Sequence, residues 1–263
     1  MSASSAYCFL KGKTMAKVYF IGAGPGDKEL ITLKGLNLLK GCGVVIYAGS
    51  LINKEILSFA QTNKLYDSSR LNLKQIIAIM EEAINNGLDV ARLHSGDPSV
   101  YGAIAEQISE LKKKGIAYEV IPGVGAAFAA AARLGVELTM PQLSQTILIS
   151  RVEGKTPMPS GEGLNEIAKC SGIICLYLSV DKIEEITKEF LKHRKPDTEV
   201  AVCYRVSWPD EMIIKGTLED ISEKVKQSGI NRQAVIIIGD ALKGKPQAYS
   251  KLYDESFSHG YRK

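Results

Sequence analysis

The chain has 263 residues, 45% hydrophobic and 24% charged, which is enough for two modest cores or one large one and too apolar for general disorder. A net charge of +4 falls short of the clustered basicity of a nucleic-acid binder, and no apolar run reaches the length of a membrane span. The sequence therefore predicts a soluble, cytoplasmic protein with neither nucleic acid nor membrane as partner.

Residues 1–14 hold no long apolar core and no cleavage site, so they read as a disordered extension, with Met15 as an alternative start. The pattern begins at Val18 to Ile21, a strand, and continues through a helix from Lys28 to Leu39 with Leu30, Leu33 and Leu36 on one side. Val44 to Tyr47 is the next strand, and a short helix lies near Lys54 to Ala60. Asn72 with Gln75 three residues on is a capping box, opening a helix that runs to Asn86 and stops at Gly87. A strand from Val90 to His94, a helix from Ala103 to Lys114 and a strand from Tyr118 to Ile121 complete a βαβα rhythm, which predicts a mainly parallel sheet with helices on both faces.

Thr156 to Gly161 has linker-like composition, and a domain change is expected between Met140 and Gly161, giving domains of 15–140 and 141–263. Beyond it, Ile173 to Leu178, Glu199 to Tyr204, Met212 to Lys215 and Ala234 to Gly239 read as strands, with helices at Asp181 to His193 and Leu218 to Gln227. Two of these strands flank Ser207-Trp208-Pro209-Asp210 as a hairpin, so the second sheet should be mixed. The expected fold class is thus α/β, two unlike domains with a cleft between them.

Chemistry concentrates in turns. Ala91 to Gly102 takes a strand into an acidic Gly96-Asp97-Pro98 turn and on to a helix: Gly96 permits close backbone approach, Pro98 directs the exit, and Asp97 can accept hydrogen bonds. An ordinary strand-to-helix connection uses the same residues. Gly22-x-Gly24-x-Gly26 invites a dinucleotide reading, but the third glycine comes one residue early and Pro25 stands where the helix should begin. Asp27 serves either a ligand or as a cap on the following helix. Gly125 to Ala132 is an alanine-rich helix start whose small side chains suit a ligand against backbone and tight packing alike. Cys8, Cys42, Cys170, Cys175 and Cys203 form no Cys-x-x-Cys pair and have no histidine at ligand spacing, so they read as reduced, mostly buried thiols without a metal or disulfide role. Of the histidines only His94 lies in a motif, as a structural strand end or a catalytic group; His193 ends a helix and His259 lies in the tail.

Four blocks in order, Gly22 to Asp27, Ala91 to Gly102, Pro122-Gly123-Val124 with its small-residue run, and Ser144 to Arg151, resemble the tetrapyrrole (corrin and porphyrin) methylase family. The resemblance implies methyl transfer from S-adenosyl-L-methionine to a tetrapyrrole, in a homodimer. It places Gly96, Asp97, Val100, Gly125 and Ala126 at the cofactor, joined by Leu178, Val206 and Ala234, and it puts Gly24, Pro25 and Asp27 on the substrate side. A tetrapyrrole's carboxylates call for arginine forks and hydroxyl donors, which nominates Tyr101, Arg151, Tyr204 and Arg205 for substrate contact. Tyr101, Arg151 and Arg205 are also the weak candidates for catalysis, since no paired carboxylates or Ser-His-Asp set announces a base.

Tyr47 to Ile52, Ser144 to Arg151, Tyr204 to Glu211, Ser250 to Tyr253 and Phe257 to Arg262 further resemble the branch acting at C-11 of precorrin-4 or its cobalt complex, with Ser150 standing where threonine is expected. Any cobalt would arrive inside the substrate. The competing readings are a sister methylase acting at another ring position, an RNA-modifying relative, and a module that binds S-adenosylmethionine without turnover.

Overall fold

A computed structural model describes residues 16–244, 250, 257–258 and 260–261. The extension at 1–14 with Cys8, the alternative start Met15, His259 and half of the two tail blocks lie outside the described residues. Contacts divide the chain into two units. One takes the described residues up to Gly22 with Thr32–His94 and Pro98–Pro122; the other takes Ala23–Ile31, Ser95–Asp97 and the chain from Gly123 on.

The first unit holds five parallel strands, β1 (Val18–Gly22), β2 (Val44–Tyr47), β3 (Leu65–Asp67), β4 (Val90–His94) and β5 (Tyr118–Ile121), in the order β3-β2-β4-β1-β5. Every residue of the central β4 is buried, as a strand covered on both faces must be. Helices α2 (Leu73–Asn85) and α3 (Ile104–Lys113) cover one face, where Val18, Phe20, Val44, Ile46 and Val90 meet Ile76, Ile77, Met80 and Leu111. Phe20 and Met80 are wholly buried, each contributing about 1.5–3 kcal/mol by leaving water. Both arms of the Asn72–Gln75 capping box are present, at 3.1 and 2.9 Å.

The helix expected from Lys28 to Leu39 is instead two elements: a short 3-10 turn at Lys28–Leu30 and α1 (Leu33–Gly41). Two caps split it. Asp27 accepts from the Glu29 amide at 2.9 Å, and Thr32 Oγ1 accepts from the Gly35 amide at 3.1 Å, so each side chain starts its own turn. Leu33, expected on the apolar side, is 72% exposed, and Leu39 supplies the buried contact.

The second unit carries β6 (Ile147–Arg151), β7 (Ile173–Tyr177), β8 (Glu199–Tyr204), β9 (Met212–Thr217) and β10 (Ala234–Ile238) in the order β6-β7-β10-β8-β9. Strand β6 runs parallel to β7 and the remaining pairs are antiparallel, so the sheet is mixed as expected. Alternate residues of β10 feed two cores: Ile236 and Ile238 pack with α5 (Leu164–Lys169), α6 (Ile183–Phe190) and α7 (Ile221–Ser228), whereas Val235 and Ile237 pack with α4 (Ala126–Leu134). Strands β3 and β6 were not expected. Both are edge strands, and Leu65 and Tyr66 of β3 are exposed, so neither carries the buried alternation that marks a strand in sequence.

Cys42, Cys175 and Cys203 are buried free thiols pushed up to about 12 by burial, while Cys170 is exposed. Among the described residues no helix is long and apolar enough to cross a membrane.

Candidate active site

Strands β1 and β4 are parallel neighbours with Gly22 opposite His94, so the two glycine-rich turns leave their carboxyl ends side by side. The turns then pair: Gly96 N donates to Gly24 O at 2.8 Å and Gly24 N to Gly96 O at 3.3 Å. Both glycines have positive φ, +78° and +64°, a conformation that costs other L-residues about 1–2 kcal/mol. Asp97 Oδ2 accepts from the Gly123 amide at 2.9 Å, which ties this pair of turns to the segment entering α4.

Gly125 caps α4 at φ −70° and ψ 149°, open to any residue, and an added Cβ would meet only ordinary contacts at 3.6 and 3.7 Å. Nothing in the fold demands glycine there. Across from it, an added Cβ on Gly96 would find Gly125 Cα at 3.7 Å. The Tyr177 hydroxyl accepts from the Ala127 amide at 2.8 Å, satisfying one of the helix's orphan N–H groups. Next to Tyr177, Leu178 is 69% exposed in a left-handed conformation (φ +53°), a strain of order 1 kcal/mol or more on an apolar side chain left in water.

The segment after β8 clasps the first glycine-rich turn. Trp208 Nε1 donates to Pro25 O at 2.8 Å, the Asp27 amide donates to Ser207 Oγ at 2.9 Å, and a Cβ on Gly26 would lie 2.0 Å from the Trp208 ring. The Arg205 guanidinium lies 4.0 Å over that ring and pairs with Asp210 at 2.8 Å, while its buried Nε has no hydrogen-bond partner among the described residues. Arg205 and Ser207 are both left-handed (φ +42° and +67°). Glu211 closes the segment, accepting from the Ser207 amide at 2.6 Å and pairing with Arg133 at 2.8 Å. Burial would raise its carboxyl pKa, but these two donors bring it below the ordinary value.

The second unit thus brings together Gly24, Pro25, Asp27, Gly96, Asp97, Gly125, Ala126 and Arg205, with Val206 buried in the α4 core. Tyr204 lies opposite Ala234 in register, but Ala234 packs on the sheet face covered by α5, α6 and α7, away from Ala126 and Val206. Arg151 turns its guanidinium onto its own loop, donating to Thr156 O at 3.1 Å and Pro157 O at 2.8 Å. Val100 and Tyr101 belong to the first unit, where Tyr101 is exposed at φ +54°. His94 is buried; burial first and Arg92 second pull its pKa down to about 3, which suits a neutral strand-end residue. Asp27 does act as a cap, its alternative reading.

Sequence reasoning passed over Tyr177, for which an aromatic residue at a strand's carboxyl end beside Leu178 was the available signal. Among the described residues no three His, Cys, Asp or Glu side chains lie close enough together to hold a metal ion.

Residues 17–222 match the profile of the Tetrapyrrole (Corrin/Porphyrin) Methylases. A cobalt-precorrin-4 C(11)-methyltransferase of Methanocaldococcus jannaschii is 51% identical over 249 residues, covering 94% of this chain and 96% of that protein. A precorrin-4 C(11)-methyltransferase of Pseudomonas aeruginosa is 46% identical over 245 residues, covering 93% and 98%. Among solved structures, a cobalt precorrin-4 methyltransferase described as a cobalamin biosynthetic enzyme superposes with a TM-score of 0.86 at 40% identity, covering 89% of this chain and 99% of that one. A uroporphyrin-III C-methyl transferase from Thermus thermophilus complexed with S-adenyl homocysteine gives 0.73 at 29% identity, covering 87% and 94%.

Proposed function

This chain belongs to the tetrapyrrole (corrin/porphyrin) methylase family, and from that premise we propose that it transfers a methyl group from S-adenosyl-L-methionine to C-11 of precorrin-4 or cobalt-precorrin-4 in cobalamin biosynthesis. The names of relatives at 51% and 46% identity, one with cobalt and one without, support the substrate. The S-adenyl homocysteine bound to a structural relative supports the methyl donor.

The observation that carries the site is Gly125: neither its φ nor its neighbours require glycine, yet it stands at the start of an alanine-lined helix and faces Gly96. Backbone left without side chains in this way fits a sulfonium-linked nucleoside without phosphate, which needs close approach and no pyrophosphate site. Bound there, S-adenosylmethionine supplies an electrophilic methyl on a sulfonium. Gly96, Asp97, Val100, Gly125, Ala126, Leu178, Val206 and Ala234 hold it, Ala234 through its backbone since its side chain packs elsewhere. Gly24, Pro25, Asp27, Tyr101, Tyr204 and Arg205 meet the tetrapyrrole, and Arg151 joins them only by exchanging its bonds to Thr156 O and Pro157 O for a substrate carboxylate. What the protein contributes is placement: the two turns, bonded to each other, fix the backbone groups presented to the ligand, and apolar residues such as Leu178 displace water from it. Arg205, stacked 4.0 Å over Trp208 and tied by one nitrogen to Asp210, keeps its remaining guanidinium donors for a substrate carboxylate. Cobalt is carried in by the substrate, and the enzyme works as a cytoplasmic homodimer.

The test is an assay of the purified protein with labelled S-adenosylmethionine and enzymatically generated precorrin-4 or cobalt-precorrin-4, with the new methyl mapped by carbon NMR. Methyl at C-11 is the expected result, and the preferred substrate settles the cobalt question. Transfer to another carbon makes it a sister methylase; binding of the donor without transfer to either corrin refutes the assignment.

A further inference from the structure

Strand β4 carries two ionisable side chains into the layer beneath α2 and α3: Arg92 is 6% exposed and His94 4%. A guanidinium cannot shed its charge at neutral pH, so burying one demands hydrogen bonds. Among the described residues no carboxylate pairs with Arg92. Its Nε donates to Gln107 Oε1 at 3.2 Å, and Gln107 Nε2 donates in turn to the Ala103 carbonyl at 2.9 Å. Gln107, on α3, is itself 4% exposed.

The chemistry of this chain of bonds is selective. Arg92 has only donors to offer and the Ala103 carbonyl only lone pairs, so the side chain between them must accept at one end and donate at the other. Glutamine does both. Its amide orientation is thereby dictated by its partners.

The carbonyl so held belongs to a strained connection. Tyr101 and Ala103 both have left-handed backbones, φ +54° and +48°, and a Cβ on Gly102 between them would lie 2.1 Å from Pro98 O. Ala103 is also the cap position of α3 and offers no side-chain cap. Non-glycine residues stay in such conformations only where the surroundings over-determine them.

We propose that Gln107 is a positioning residue for methyl transfer: its amide links the buried Arg92 to the Ala103 carbonyl and so holds the Pro98–Ala103 connection in the left-handed form that sets Val100 and Tyr101. This rests on the reading above, in which Val100 meets the cofactor and Tyr101 the tetrapyrrole. Gln107→Glu separates the two bonds, because a carboxylate still accepts from Arg92 and adds a charge partner but cannot donate to Ala103. Amide hydrogen exchange at residues 99–104 should quicken at least tenfold while β1 and β4 keep their protection, and kcat with precorrin-4 should fall at least tenfold. Adding Ala103→Gly, at an exposed position where glycine meets no left-handed penalty, should recover most of the lost kcat. Gln107→Asn, which keeps the amide and shortens its reach by one methylene, gives the same loss of protection without a buried carboxylate. Unchanged exchange in both Gln107 variants overturns the proposal. Faster exchange with wild-type kcat and wild-type affinity for S-adenosylmethionine also overturns it, and with it the roles of Val100 and Tyr101. A wild-type protein that transfers no methyl to either corrin defeats the proposed function instead, and the exchange measurement still decides whether Gln107 holds the turn.

Discussion

Gly26→Ala tests the clasp on the first glycine-rich turn. The backbone at Gly26 lies outside the left-handed region, so alanine brings no conformational penalty and the effect is steric. The new Cβ would lie 2.0 Å from Cδ1, 2.3 Å from Nε1 and 2.8 Å from Cγ of Trp208, all far inside van der Waals contact. An indole that yields loses its bond to Pro25 O, about 1 kcal/mol, and its stacking under Arg205, about 0.5–1 kcal/mol at this partly exposed pair. An indole that stays forces overpacking of about 1–3 kcal/mol. Either route predicts a loss of about 2 kcal/mol, a fall in Tm of about 4–8 °C. Circular dichroism reads the melting, and the emission of Trp208, the sole tryptophan of the chain, reads its displacement. In a Trp208→Ala background the alanine should cost almost nothing, because the partner it strikes is gone. Wild-type stability with unshifted emission, or costs that simply add in the double variant, would refute the reasoning.

Two further outcomes follow from the same geometry. Gly125→Ala should change stability by less than about 1 kcal/mol, since the backbone and the space both accept alanine and its unfolded-chain gain offsets its weaker N-capping, while calorimetric titration shows affinity for S-adenosylmethionine falling at least tenfold; equal affinity would remove Gly125 from the site. His94, with its pKa held to about 3 in the fold against about 6.5 unfolded, makes the unfolded chain the stronger proton binder between those values. Stability should therefore rise with pH across that window and level off above it, this group contributing about 2 kcal/mol between about pH 5 and pH 7.5. Urea unfolding of wild type and His94→Gln at the two pH values measures it, and an identical difference in both proteins would sink the attribution.

What the sequence determined by itself was whatever neighbouring residues decide among themselves. Strands β4, β5 and β8 begin and end where apolar runs meet turn residues, and the Asn72–Gln75 capping box closes within four residues of chain. The Gly-Asp-Pro turn at 96–98 and the alanine-rich start of α4 were visible as places where backbone is left bare, and that is why they could be nominated for a ligand. Local chemistry also misled, because Asp27 and Thr32 each cap a turn and so cut a helix whose spacing alone looked continuous.

Only tertiary structure decided the rest, because the partners meet through packing, several of them far apart along the chain, and the bond belongs to neither segment alone. Trp208 reaches Pro25 across 183 residues, Tyr177 reaches Ala127 across 50, and Asp97 reaches Gly123 across 26. The sheet's pleat sent Ala234 to the face opposite Val206, and a loop carbonyl claimed the Arg151 guanidinium, outcomes set by register and packing rather than by residue type. Gln107 shows the limit most plainly: a polar residue on a helix has no meaning in sequence until burial removes water and gives it Arg92 and the Ala103 carbonyl as side-chain partners.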